Sequence, residues 1–137
     1  MAIKFKAIAR KSPVDKSVSY YPIQAKPEPV TLDRIVKQIE ENSTMHESDI
    51  KGVIANFYRR IIEHLQDGRS VNLEDLGSFN VWMKGKGSPT AEEVQAESIK
   101  SIRVAWRPSA VIRKQVKLGA DGIRFERVKS IYEKEEE

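Results

Sequence analysis

"ESDIKGVIANFYRRIIEHLQDGRSVNLEDLGSFNV", residues 47–81, decides the fold. Ile50, Val53, Ile54, Phe57, Ile61, Ile62 and Leu65 recur at helical spacing and make one apolar stripe. Met45 and Ile50 stand at staple positions around His46, which puts His46 at the N-cap. Gly68 falls where a closing glycine belongs. His64 lies near the helix C-terminus, where the dipole favours a cation. Beyond Gly68 the period changes to two. Val71 and Leu73 alternate, "EDLGS" reads as a turn, and Phe79, Val81 and Met83 share one face of a strand. Ser78, Asn80, Trp82 and Lys84 share the other face. The helical stripe is wider than one small sheet can cover, so this helix is a candidate dimer interface as well as a core element.

Upstream, residues 3–9 and 17–24 alternate like strands around the turn-forming "SPVDKS", which predicts an N-terminal hairpin. "KPEP" at 26–29 is a stiff linker in which no helix can form. A helix follows, with Thr31 as N-cap, Val30 and Ile35 as a staple, and Leu32, Ile35, Val36 and Ile39 at helical spacing. "ENS" at 41–43 ends it. Downstream, "TAEEVQAE" at 90–97 favours helix, with Thr90 and Glu93 in a capping-box pattern. A third strand is expected over 99–106, with Ile102, Val104 and Trp106 on one face. "RPSAVIRKQVKLG" predicts a final short helix that Pro108 opens and Gly119 stops. "GIRFERV" at 122–128 reads as one more strand, and the acidic "YEKEEE" as a frayed, solvated end.

The chain has 137 residues, suited to one domain with appended elements. It has no cysteine, which excludes disulfides, Cys-zinc sites and thiol catalysis. His46 and His64 are the only histidines and read as structural. No phosphate loop, HExxH pattern or GxSxG elbow appears, and the carboxylates are scattered among basic residues. No enzyme, metal or cofactor is expected. No apolar run is long enough to span a membrane. "MAIKFKAIARK" lacks the unbroken apolar core of a signal peptide, so a cytoplasmic location is expected. The net charge of +4 points weakly to nucleic acid. Its distribution says more: residues 98–120 hold Lys100, Arg103, Arg107, Arg113, Lys114 and Lys117 and no acid.

Residues 31–118 resemble the HU and integration-host-factor family of bacterial DNA-bending proteins. The resemblance rests on the quoted stretch with its Gly77-Ser78-Phe79 corner, on "VAWRPSAVIRKQVK" at 104–117, and on the spacing between them. The flanking strands resemble a HU-like subgroup of Bacteroidetes type. The implied fold is α+β: two N-terminal helices, a three-stranded antiparallel sheet and a short C-terminal helix, with added strands at both ends. The implied divisions are 1–30 as extension and linker, 31–118 as the DNA-binding domain, and 119–137 as terminal strand and acidic tail. The resemblance implies a nucleoid-associated homodimer whose strands form a saddle on the minor groove and backbone of duplex DNA. The residues it points to are Gly77, Ser78, Lys84, Lys86, Lys100, Arg103, Arg107, Pro108, Arg113 and Lys114. Gly77 would let the backbone approach DNA, and Arg107, Arg113 and Lys114 would stand at the start of the last helix, whose N-terminus favours phosphate. Ile50, Ile54, Phe57, Ile61, Phe79 and Trp106 would form the core and dimer contact.

The family sends out a long basic ribbon tipped by proline. The counterpart here is "KGKGSPTAEEVQAESIK", with Pro89 followed by Glu92, Glu93 and Glu97. A helix over 90–97 leaves no extended arm, and its acids are repelled by phosphate. Trp82 reads as packed beneath the N-terminal strands, with stacking on nucleic acid as the alternative. Binding is expected to be salt-dependent and largely independent of sequence. The alternative is a HU-fold interaction dimer that has lost DNA binding, its flanking strands offering edges to another protein.

Overall fold

The computed structural model describes residues 1–129; the acidic end expected to fray lies outside them. The chain folds into two units. One comprises residues 30–115, and the other joins residues 1–29 to the segment from 116 onward.

In the 30–115 unit, α1 spans Leu32–Glu41 and α2 spans Glu47–Gln66. Thr31 caps α1 as expected, its hydroxyl accepting from Arg34 N–H. His46 takes the N-cap of α2 in an extended conformation but makes no side-chain capping bond. The end of α2 is closed by two backbone bonds, from Gly68 N–H to Leu65 O and from Arg69 N–H to His64 O. This pairing needs a left-handed residue between them, and Gly68 supplies it at φ 77°. Lys51 Nζ lies 3.0 Å from Asp33 on α1 and 3.0 Å from Glu47 on α2. Hydrogen bonds to Asp33 and then Glu47 hold the Lys51 ammonium above the usual lysine range. The pair is exposed, so it contributes register between the helices more than stability.

The sheet of this unit is the antiparallel order β3 (Val71–Asn72), β4 (Gly77–Gly85), β5 (Ile99–Pro108). A 3₁₀ turn at Glu74–Leu76 joins β3 to β4. β4 and β5 run in register from Gly77 opposite Pro108 to Lys84 opposite Ser101, and a bulge then leaves Gly85 opposite Ile99. The last helix, α3, is Ala110–Gln115. Pro108 is therefore the end of β5 and not the start of α3. Ser109 does the capping: its hydroxyl accepts from Ile112 N–H and donates to the Asp75 carbonyl.

The expected helix over 90–97 is not there. That stretch forms two 3₁₀ turns, Ala91–Glu93 and Ala96–Ser98. Thr90 makes no capping bond; the hydroxyl that caps is Ser98, accepting from Gln95 N–H. An isolated helix this short is marginal, and its one large apolar residue, Val94, is 55% exposed. No packing offsets the entropy of ordering it. The segment is instead closed at its base by Lys86 N–H donating to Ser98 O.

The other unit is a mixed sheet in the order β2 (Val18–Gln24), β1 (Ile3–Lys11), β6 (Phe125–Arg127). β1 and β2 form the expected hairpin. β6 lies parallel to β1, with Ile3, Lys4 and Phe5 opposite Phe125, Glu126 and Arg127. In the hairpin turn, Asp15 accepts from Ser17 N–H and Ser17 Oγ, which holds its carboxyl below the usual range.

Candidate nucleic-acid interface

The β4–β5 register sorts its residues onto two faces, because directly paired residues in an antiparallel ladder point the same way. Phe79/Trp106, Val81/Val104 and Met83/Ile102 share one face. Ser78/Arg107, Asn80/Ala105, Trp82/Arg103 and Lys84/Ser101 share the opposite one. One face is thus wholly apolar. The other carries three cations, hydroxyls, an amide and an indole, with no acid. A recess of about 350 Å³ opens beside it, lined by Trp82, Met83, Lys84, Ser101 and Arg103.

Of the residues singled out in the sequence, Ser78, Lys84, Arg103 and Arg107 come together on this polar face. Lys86 follows immediately after β4. Five others are placed differently. Gly77 is buried at φ 120°, and a Cβ there would clash with the Arg107 carbonyl oxygen. Its close approach is to β5, not to an outside backbone. Pro108 lies half-buried opposite it. Arg113 and Lys114 occupy the last turn of α3 and not its start, where they complement the negative end of the dipole. The N–H of Ile112, in the first turn of α3, is already taken by Ser109. Lys100 is the residue left without a partner in the bulge, off the ladder that aligns the others.

Asn80 and Trp82 fall on the polar face as the alternation predicts, although neither was counted among the DNA-contacting residues. Trp82 is 56% exposed and stands opposite Arg103. The signal was present in the alternation of 78, 80, 82 and 84. Among the described residues, no cluster of three His, Asp or Glu side chains could hold a metal, and no helix is long and apolar enough to cross a membrane.

The residues expected to form core and dimer contact divide by burial. Val36 and Ile50 are the buried apolar core of the described residues, at 0% and 4% exposure. Ile54, Ile61 and Phe79 are half-buried. Phe57 and Trp106 remain 47% and 48% exposed. The same holds along the apolar sheet face, where Met83, Ile102 and Val104 are exposed.

No curated protein matches the chain. Among solved structures, it superposes on a crystal structure from Bacteroides vulgatus described as a "Putative bacterial DNA binding protein", with a TM-score of 0.61 and 15% identity. The match covers 93% of this chain and 48% of that one, so this chain spans about half the length of its neighbour. At that identity the likeness speaks for the fold. The sequence itself is matched over residues 1–127 by the family described as HU domain fused to wHTH, Ig, or glycine-rich motif. That match takes in both the helix–sheet unit and the flanking strands: the chain belongs to the HU-HIG family.

Proposed function

We propose that this protein binds duplex DNA as a homodimer, with little sequence specificity, and serves as an architectural, nucleoid-associated protein. The observation that carries the reading is the two-faced β4–β5 ladder. Lys84, Arg103 and Arg107 stand on one face with Ser78, and unburied apolar residues cover the other. The cations suit phosphates, and phosphate contacts position a protein without reading sequence. A protein of this kind contacts the backbone along a minor groove and reads DNA through its shape.

The apolar face supports the dimer. Met83, Ile102, Val104 and Trp106 on the sheet, with Val53, Phe57 and Ile62 on α2, are each between 47% and 68% exposed. Covering them with a second copy removes apolar area from water at about 25 cal/mol per Å². The segment 86–98 shapes the mode of binding. Its 3₁₀ turns take the place of a longer extended ribbon, and Glu92, Glu93 and Glu97 follow Pro89 closely. Groove wedging and strong kinking are not expected of it, and binding rests on the sheet.

A second reading, an interaction dimer without DNA binding, draws on Glu92, Glu93 and Glu97 in that segment and on the near-neutral charge of residues 30–115. The two readings separate in one titration. A fluorescent random-sequence duplex is titrated at several salt concentrations, with the dimer state followed by sedimentation in the same buffers. Binding that weakens steeply with salt supports the DNA reading. A folded dimer that ignores the duplex even at low salt overturns it.

A further inference from the structure

The basic excess of this chain does not reside in the unit that resembles HU. Residues 30–115 hold 13 Lys and Arg against 12 Asp and Glu. The described part of the other unit, residues 1–29 and 116–129, holds ten against four. The terminal eight residues add one lysine and four glutamates, which still leaves that unit the more basic.

Strand alternation organises this charge. On β1, Lys4, Lys6, Ile8 and Arg10 face one way, and Ile3, Phe5, Ala7 and Ala9 face the other. Cross-strand pairing adds Ile23, Tyr21 and Ser19 to the basic face, and it adds Glu126 from β6 as the one acid there. The opposite face is more apolar, with Pro22 and Phe125 beside the β1 residues, but it also takes in Lys11, Gln24 and Arg127; a groove of about 650 Å³ lined by Ile3, Phe5, Pro22, Ile23, Gln24 and Phe125 opens at the sheet.

Lys4 and Arg10 are exposed and Lys6 half-exposed. None of the three joins the ion pairs among the described residues, which involve Lys51 and Arg60. The Arg10 guanidinium lies 5.6 Å from the centre of the Tyr21 ring. That contact orders the guanidinium, and it also occupies a ring that could otherwise stack on a base. The chemistry is therefore that of backbone recognition. At about 3.4 Å per residue, Lys4 to Arg10 spans roughly 20 Å, a row of cations long enough to follow several successive phosphates of one strand.

We propose that the β1–β2 face bearing Lys4, Lys6 and Arg10 is a second phosphate-binding surface for duplex DNA, distinct from the β4–β5 face. It goes beyond the reading of the helix–sheet unit and does not depend on it.

The test uses the full chain carrying K4Q, K6Q and R10Q together, checked for fold by circular dichroism. A charge-conserving K4R/K6R/R10K chain serves as control. Affinity for a random-sequence duplex is measured against salt. The glutamine variant is expected to lower the slope of log affinity against log salt by about two to three, at roughly 0.9 per phosphate contact. The charge-conserving variant is expected to keep the wild-type slope. Unchanged slope in the folded glutamine variant overturns the proposal, even if neutralising Lys84, Arg103 and Arg107 abolishes binding. If neutralising those three changes nothing while the β1 variant lowers the slope, this proposal stands and the β4–β5 assignment falls. Phosphatidylglycerol vesicles form the last arm. Loss of vesicle binding in the glutamine variant, with DNA binding intact, would assign the face to membrane and overturn the proposal.

Discussion

Neutralising Lys84, Arg103 and Arg107 together as K84Q/R103Q/R107Q isolates the β4–β5 face. These three side chains project from one side of a continuous ladder, two of them opposite Trp82 and Ser78. Each phosphate contact contributes about 0.9 to the salt slope, so losing three lowers it by about 2.7. Over a fourfold rise in salt, roughly 50 to 200 mM, that difference amounts to about 40-fold in affinity. The wild type should therefore lose about 40 times more affinity across this range than the variant. Exposed substitutions of this kind shift stability by only about 0.5 kcal/mol or less, so the fold and the dimer should persist. Fluorescence anisotropy with a random-sequence duplex reads the slope, and sedimentation confirms the assembly state. Two parallel salt lines, differing in height or not at all, would refute the placement of phosphates on this face.

Three further outcomes follow from particular contacts. Gly77→Ala places a Cβ against the Arg107 carbonyl at a positive φ, and should destabilise the 30–115 unit by about 2–4 kcal/mol in urea unfolding. Val104→Asp puts a charge in the middle of the apolar sheet face, and should convert the dimer to a folded monomer in sedimentation; a variant that stays dimeric would remove this face from the interface. Asp15→Asn weakens the hairpin turn. Because the folded carboxyl titrates below its unfolded value, its contribution is present above the unfolded pKa and fades as pH falls through the lower folded one, so wild type and variant should converge in acid when turn amide shifts are followed by NMR.

The elements that sequence made legible are those whose signal is local and repeated. The stripe from Ile50 to Leu65, closed by Gly68, dictates α2 because only a helix gathers residues at this spacing onto one face. Thr31 announces α1 by a hydroxyl three residues from the N–H it accepts. The alternation of residues 78–84 foretold both faces of β4, and with them Lys84 and Ser78. The alternation of residues 3–11 was as clear, but it argued against a signal peptide before it could point to a surface. Ser109 was readable as a cap as well: a serine directly before a helix is the usual signal, and Pro108 drew the reading one residue early.

Other features were decided by contacts between distant segments. Composition favours helix at 90–97, yet nothing packs against it, and the closure from Lys86 to Ser98 draws it into 3₁₀ turns. Arg113 and Lys114 are near Arg107 in sequence, but a bond from Ser109 to Asp75, 34 residues away, fixes where α3 begins and so places them in its last turn. Gly77 looked like an opening for a ligand, and only the pairing with Pro108 shows that Arg107 fills the space. The parallel pairing of β1 with β6 joins Ile3–Phe5 to Phe125–Arg127 through backbone bonds that no side-chain pattern encodes. Periodicity specifies which face an element buries; which partner it meets depends on tertiary contacts.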